Sequence, residues 1–353
     1  MKVLTVVGAR PQFIKAAPVS RVLRQQHEEV LVHTGQHYDE GMSAVFFREL
    51  RIPEPDTNLG VGSGMHGEQT AAMLVGLEVE MLKVRPDWVL VYGDTNSTLA
   101  GAIAASKLNI RVAHVEAGLR SYNRTMPEEI NRVLTDHIST LLFCPTRIAV
   151  ENLKKEGITS GVHEVGDVMV DGLLAARESA QTLATVLHEH HLEVGQFYLA
   201  TIHRPANTDS RGALAGIVEG LGSLGKVVVL PAHPRLQAAL KRENLPIPHN
   251  LRLIPPASYV NMVALLDAAD AVITDSGGLQ KEAYIMQRPC ITVRTETEWV
   301  ETIESGWNRL ADPTPDSIQK AVQQAVPLQK HPDFYGDGRA SQRIVDLMAG
   351  YGR

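Results

Sequence analysis

The chain has 353 residues, a formal net charge of −6 and 44% hydrophobic residues, more than one core of about 250–300 residues usually absorbs, so two domains are expected. Its mild acidity argues against nucleic-acid and anionic-membrane partners, which need a basic face, while leaving room for a local basic pocket. No stretch approaches the roughly 18 uncharged apolar residues of a membrane span, the first residues lack the length and cleavage pattern of a signal peptide, and the two cysteines, Cys144 and Cys290, sit in separate apolar stretches, which points to a reducing, cytoplasmic setting with no disulfide.

Short apolar, β-branched runs alternate with longer amphipathic segments along the whole chain. Val3–Val7 predicts a strand and Pro11–Gln26 the helix after it. Further strands are expected at Val30–His33, Trp88–Tyr92, Val112–Val115 and Leu141–Cys144, with helices at Thr95–Leu108 and Pro127–Thr140. A second set of strands follows at Phe197–Ile202, Val227–Leu230, Leu251–Ile254, Ala271–Thr274 and Cys290–Val293, with a helix over Leu279–Met286. Most of these runs are apolar throughout, as in strands buried on both faces of a parallel sheet. The alternation predicts an α/β fold of two doubly wound, Rossmann-like parallel sheets. The boundary falls near Val165–Asp171, giving domains at residues 1–167 and 168–335, and 336–353 form a last helix with the option of crossing back to the first domain.

Ligands bind beyond the carboxyl ends of strands in open parallel sheets, so the residues that follow each strand carry the functional reading. Gly8-Ala9-Arg10-Pro11 and then Lys15 follow the first strand; Gly93-Asp94-Thr95 and Glu116-Ala117-Gly118 follow two others, and Pro127-Glu128-Glu129 opens a helix. In the second half His203-Arg204-Pro205, His233-Pro234-Arg235 and Asp275-Ser276-Gly277-Gly278 take the same kind of position. Ionisable groups after most of the major strands point to a reactive cleft between the two domains.

The turn Ser276-Gly277-Gly278 offers free N–H groups and a helix dipole to a phosphate, though it reads equally as a plain strand-to-helix turn. Glu282, one turn on, is placed to accept from two ribose hydroxyls. Arg10, Lys15, His203, Arg204, His233 and Arg235 are candidate cations for a diphosphate. Asp94, Glu116 and Glu128 are the acid–base candidates, with bland alternatives as an N-cap for Asp94 and helix-dipole acids for Glu128 and Glu129. Glu116 follows its strand directly and has no evident helix to cap.

No dinucleotide G-x-G-x-x-G follows the first strand. Gly60-Val61-Gly62-Ser63-Gly64 is preceded by no clear strand, and Gly220 through Lys226 matches a P-loop only up to Val227, where a strand is expected instead of a helix. The run His188-Glu189-His190-His191 reads as a solvated helix end, so no metal site is expected.

The segments GARPQFIKAAPV, GQHYD, VYGDTNSTLAG, HVEAGLRS, MPEEINR, TIHRPAN, PAHPR, TDSGGLQKEA and VRTETEWVE, spread over nearly the whole chain, resemble the non-hydrolysing UDP-N-acetylglucosamine 2-epimerases. The resemblance implies a type-B glycosyltransferase-like fold with a UDP-sugar in the cleft, no cofactor and a homodimer. It carries Arg10, Lys15, His203, Ser276, Gly277, Gly278 and Glu282 over as UDP-sugar contacts, and Asp94, Glu116, Glu128 and His203 as catalytic groups. It implies elimination of UDP as the C2 proton is lost, then re-addition with protonation of the opposite face. Four positions depart from the family pattern. Gln12 and Ala206 stand where Glu is common, and Trp299 stands in place of an Arg. Asp39 replaces a Gln of a second, activating sugar-nucleotide site, of which Gln36 and His37 remain.

Overall fold

The computed structural model describes residues 1–36, 52–178, 180–326 and 330–351. Of the activating-site motif, His37 and Asp39 lie outside them. The chain divides into two compact units, Met1–Ala175 with Tyr335–Arg353, and Ala176–Phe334.

The first unit is built on β1 (Lys2–Val7), β2 (Glu28–His33), β3 (Thr57–Asn58), β4 (Trp88–Tyr92), β5 (Arg111–Val115), β6 (Leu141–Cys144) and β7 (Val162–Glu164). These pair in the order β3-β2-β1-β4-β5-β6-β7, every ladder parallel. Val3, Leu4, Val6, Val7 and Val89 to Tyr92 are fully buried, because helices cover both faces. The helices are α1 (Arg10–Gln26), α2 (His66–Val84), α3 (Asn96–Lys107), α4 (Pro127–Ile138), α5 (Arg147–Lys155) and α6 (Val168–Arg177).

Helix α3 is rich in small residues and lies tight on the sheet. A Cβ on Gly101 would meet Val91 at 3.1 Å and Val6 at 3.3 Å. The close approach brings the start of α3 over the ends of β1 and β4. A strand does precede the Gly60–Gly64 segment, contrary to the sequence reading: β3, only two residues long. The glycine loop is no phosphate cradle, however, since Val61 N and Gly62 N donate to Thr34 O and Gly35 O, each at 3.0 Å.

The last helix of the chain, Ala340–Gly350, packs on α1. Asp171 of α6 accepts from its first N–H groups, Ala340 N at 3.2 Å and Ser341 N at 2.8 Å. Those are the orphan donors every helix start leaves, so the contact holds the returning chain in the first unit.

The second unit contains β8 (Phe197–Thr201), β9 (Val227–Pro231), β10 (Leu251–Ile254), β11 (Ala271–Thr274), β12 (Cys290–Thr292) and β13 (Asn308–Leu310). They form a parallel sheet in the order β10-β9-β8-β11-β12-β13. Helix α7 (Ala180–Glu189) precedes β8, and between the strands run α8 (Pro205–Thr208), α9 (Arg211–Gly222), α10 (Pro234–Glu243), α11 (Tyr259–Ala268), α12 (Gly277–Ile285) and α13 (Val300–Glu304); α14 (Pro315–Gln324) follows β13, and Ala340–Gly350 is α15. At Gly220–Lys226, helix α9 runs into β9 with no helix after the lysine, the opposite of a P-loop.

Candidate active site

In the first unit the strand order reverses between β1 and β4, and the carboxyl ends on either side of such a reversal splay apart into a crevice. Lys15 rises from α1 beside this point and forms an ion pair and hydrogen bond with Glu116, which follows β5. Both side chains are about 15% exposed. Burial works against the Lys15 charge, but Glu116 outweighs it, with help from Asp167 and Asp94, and keeps the ammonium above its usual range. Glu116 sits at φ +75°, a left-handed conformation that costs a non-glycine residue energy and gathers at functional sites. Gly93, itself at φ +64°, makes room for the pair: a Cβ there would lie 3.3 Å from Glu116 Oε2 and 3.7 Å from Lys15 Nζ.

Asp94 does not cap the next helix. Thr95 does, its hydroxyl accepting from Thr98 N at 3.3 Å. The Asp94 carboxylate, one-third exposed, pairs instead with Arg132 of α4, while Asn131 Nδ2 donates to Asp94 O at 2.9 Å.

The two acids that open α4 divide their labour. Glu129 is buried and accepts from Ser121 N (2.9 Å), Ser121 Oγ (3.0 Å), Tyr122 N (2.8 Å) and Arg132 Nη1 (2.8 Å). Burial raises its carboxyl, but those donors outweigh burial and hold it below the usual range. It is committed to the 121–122 loop. Glu128 is exposed and so remains available to a ligand.

Arg10 opens α1; its side chain lies outside the described parts. Gln12, one of the four departures, is buried and joins two strand ends. Its Oε1 accepts from Gly8 N (2.8 Å) and Ala9 N (3.0 Å), and its Nε2 donates to Tyr92 O (2.8 Å). A glutamate could not make that donation.

The second unit reverses between β8 and β11, and its candidates gather there. His203, after β8, lies 3.1 Å through Nδ1 from Asp275 Oδ1, after β11. Asp275 is fully buried and also accepts from Arg204 N (2.9 Å) and Asn207 Nδ2 (3.0 Å). Burial pushes its carboxyl up; the bonds from His203, Arg204 and Asn207 prevail and hold it low. An ionised Asp275 fixes the His203 ring with Nε2 turned away from it. The His233 ring lies 6.3 Å from that of His203, and its Nδ1 accepts from Arg235 N at 3.2 Å to cap α10. Arg235 spends its guanidinium on Asp209, at 2.6 Å.

Ser276 caps α12 through Oγ to Leu279 N at 3.4 Å, leaving the turn at the positive end of the helix dipole. Gly277 is packed on its outer side: a Cβ there would meet Glu298 Oε1 at 2.1 Å. Trp299 Nε1 donates to Gly277 O at 2.7 Å, so this departure buttresses the turn. Buried Gln280 accepts from Thr297 Oγ1 at 2.6 Å and anchors the same loop. Glu282, one turn on, is pushed up to about 7 by burial, which neighbouring Lys281 only partly offsets. Among the described residues no three His, Cys, Asp or Glu side chains are grouped to hold a metal ion.

Sequence reasoning missed Asp275, Gln12, Arg132 and Gln280 as supports. Asp275 carried a signal, an acid between a buried strand and a glycine turn.

A sequence model of the UDP-N-acetylglucosamine 2-epimerase family matches residues 21–349. The chain belongs to the UDP-N-acetylglucosamine 2-epimerase family. It is 49% identical to a UDP-N-acetylglucosamine 2-epimerase homolog of Methanococcus maripaludis, over 99% of both chains. It is 46% identical to the UDP-2,3-diacetamido-2,3-dideoxy-D-glucuronate 2-epimerase of Pseudomonas aeruginosa, again over 99% of each. The crystal structure of the Methanocaldococcus jannaschii UDP-GlcNAc 2-epimerase, in complex with UDP-GlcNAc and UDP, is similar at a TM-score of 0.80 and 42% identity, covering 99% of both chains. With two all-parallel α/β sheets, the family's type-B glycosyltransferase-like fold is the fold of this chain. Among the described residues no helix of this epimerase-family chain is long and apolar enough to cross a membrane.

Proposed function

We propose that this member of the epimerase family inverts C2 of UDP-N-acetylglucosamine reversibly, giving UDP-N-acetylmannosamine. The observation that carries the reading is the group at the β1–β4 reversal. There a non-glycine acid in a left-handed conformation, Glu116, is paired with a charged lysine, and Gly93-Asp94 follows the neighbouring strand. The C2 hydrogen is not next to a carbonyl, so its loss needs a concerted departure. As a carboxylate takes the C2 proton, the electron pair forms the C1–C2 double bond and the C1–oxygen bond to UDP breaks, leaving a 2-acetamidoglucal. UDP oxygen then re-adds at C1 while a second acid delivers a proton to the other face of C2.

Asp94, Glu116 and Glu128 serve these transfers collectively. The diphosphate is assigned to the N–H groups of Ser276, Gly277 and Gly278, with His203 and His233, where negative charge grows as UDP leaves. Lys15 and Arg10 supply further positive charge, and Glu282 takes the ribose hydroxyls.

Incubation of the protein with UDP-N-acetylglucosamine and no acceptor tests the reading. UDP-N-acetylmannosamine should accumulate to a fixed ratio from either direction. An unchanged substrate pool, or sugar transfer that starts only with an added acceptor, would favour a binding protein or a glycosyltransferase on the same fold. The 46% identity to the Pseudomonas enzyme supports a second reading, a diacetamido UDP-sugar as substrate, and the same incubation with that sugar separates the two.

The homodimer is proposed on a surface argument. Val75, Val79 and Leu82 of α2 and Ile130, Leu134 and Ile138 of α4 are 38–64% exposed. They recur at helical spacing on the two helices that pack against α3. Two contiguous apolar stripes of this size fit a self-complementary contact with a second copy.

A further inference from the structure

His114 lies in the middle of β5 and is fully buried, yet it has no part in the proton transfers assigned above. Its ring spans two acceptors. Nδ1 is 2.7 Å from Asp136 Oδ1 and Nε2 is 2.7 Å from Gly93 O. The Gly93 carbonyl can only accept, so Nε2 must carry hydrogen. Asp136 Oδ2 accepts from Arg120 Nη1 at 2.7 Å and Gly118 N at 3.1 Å. Arg120 in turn forks onto Glu156 at 2.7 and 2.8 Å. Burial raises the Asp136 carboxyl, but His114 and Arg120 outweigh it and keep it ionised. Among titratable neighbours of this network, the Cys144 thiol is pushed up to about 12 by burial, with Asp136 adding to it, and the Lys15–Glu116 pair lies beyond Gly93.

We propose that His114 is a positioning residue: its Nε2–H locks the Gly93 carbonyl and so sets Gly93-Asp94 and Glu116 for proton transfer. The inference rests on the epimerase reading and extends it. Gly93 is gripped from both ends, since its N–H also donates to Val115 O at 3.0 Å. Its Cα carries the surface against which Glu116 Oε2 and Lys15 Nζ pack, and its carbonyl carbon begins the peptide to Asp94. Rotation of that one peptide moves Asp94 and alters the surface on which Glu116 packs, and misplacement by about 1 Å can cost on the order of a hundredfold in rate. Asp136 holds the far side of the ring.

Two amide variants separate the two bonds. In H114Q the side-chain amide nitrogen takes the place of Nε2 and can still donate to Gly93 O. In H114N it takes the place of Nδ1 and can donate only to Asp136. With the full-length protein and UDP-N-acetylglucosamine, H114N should lose about a hundredfold in kcat while KM stays unchanged. H114Q should keep most of its kcat even though it leaves Asp136 Oδ1 without its donor and lowers the melting temperature more. A purely structural histidine would show the reverse pairing, or unaltered kcat per folded molecule in both, and either result overturns the proposal.

Nitrogen NMR of histidine-labelled wild-type protein needs no variant. At neutral pH one ring of the 14 histidines should hold a slowly exchanging hydrogen on Nε2. Spectra in which no ring holds such a hydrogen overturn the proposal, including when neither variant folds. Absence of wild-type turnover would instead count against the epimerase reading, and the NMR result would still decide the state of the ring.

Discussion

Replacing Glu282 by Gln gives a test of the UDP site whose size follows from burial. Burial pushes this carboxyl up to about 7 from an ordinary 4.5. The folded state therefore holds its proton over a range in which the unfolded chain has released it. Stability contributed by the protonated form is complete below about pH 4.5 and is lost as the pH rises through 7. The full difference corresponds to about 3 kcal/mol, and partial exposure of the side chain reduces the expected effect to about 2 kcal/mol. Urea unfolding followed by tryptophan fluorescence can read this, because Trp299 and Trp307 lie in the second unit. Glu282→Gln should match wild type at pH 4.5 and exceed it by about 2 kcal/mol at pH 8. Calorimetric titration with UDP adds a second reading: wild type should release protons on binding near pH 6.5, as the ribose hydroxyls donate to the carboxylate, and the variant should not. A stability difference independent of pH, together with equal proton release in both proteins, would refute the assignment of Glu282.

Glu116→Gln and Asp94→Asn should each lower kcat by about 10²–10⁴ while circular dichroism stays native; near-normal turnover in both would remove the carboxylates from the mechanism. Gly93→Ala forces a Cβ into a left-handed position 3.3 Å from Glu116 Oε2. It should cost about 1–2 kcal/mol of stability and at least about tenfold in kcat, as one displaced carboxylate would, and an unaltered kcat would mean the pair tolerates displacement. Val79→Asp with Leu134→Asp should convert the proposed dimer to a monomer in sedimentation; an unchanged sedimentation coefficient would place the interface elsewhere.

Much of the architecture was legible because most buried strands are apolar runs with a turn or helix start after them. The strands that escaped, β3, β7 and β13, are two or three residues long and lie at sheet edges. Paired on one side only, they need no apolar run to form. Strand-end logic singled out Lys15, Glu116, Asp94 and His203, since the position itself makes a polar residue conspicuous. It could not find His114, which reads as one polar residue inside Val112–Val115. Its partner, Asp136, comes 22 residues later on helix α4. The division between Glu128 and Glu129 was equally hidden, because only the folded loop shows which acid Ser121 and Tyr122 occupy.

The central claim is that carboxylates of this chain move the C2 proton while UDP departs and returns. Proton NMR of UDP-N-acetylglucosamine turned over in deuterated water tests it directly. The C2 resonance of the epimerised sugar should vanish as deuterium replaces hydrogen, and Glu116→Gln should slow that loss in step with kcat. Epimerised product that keeps its original hydrogen at C2 would contradict the account.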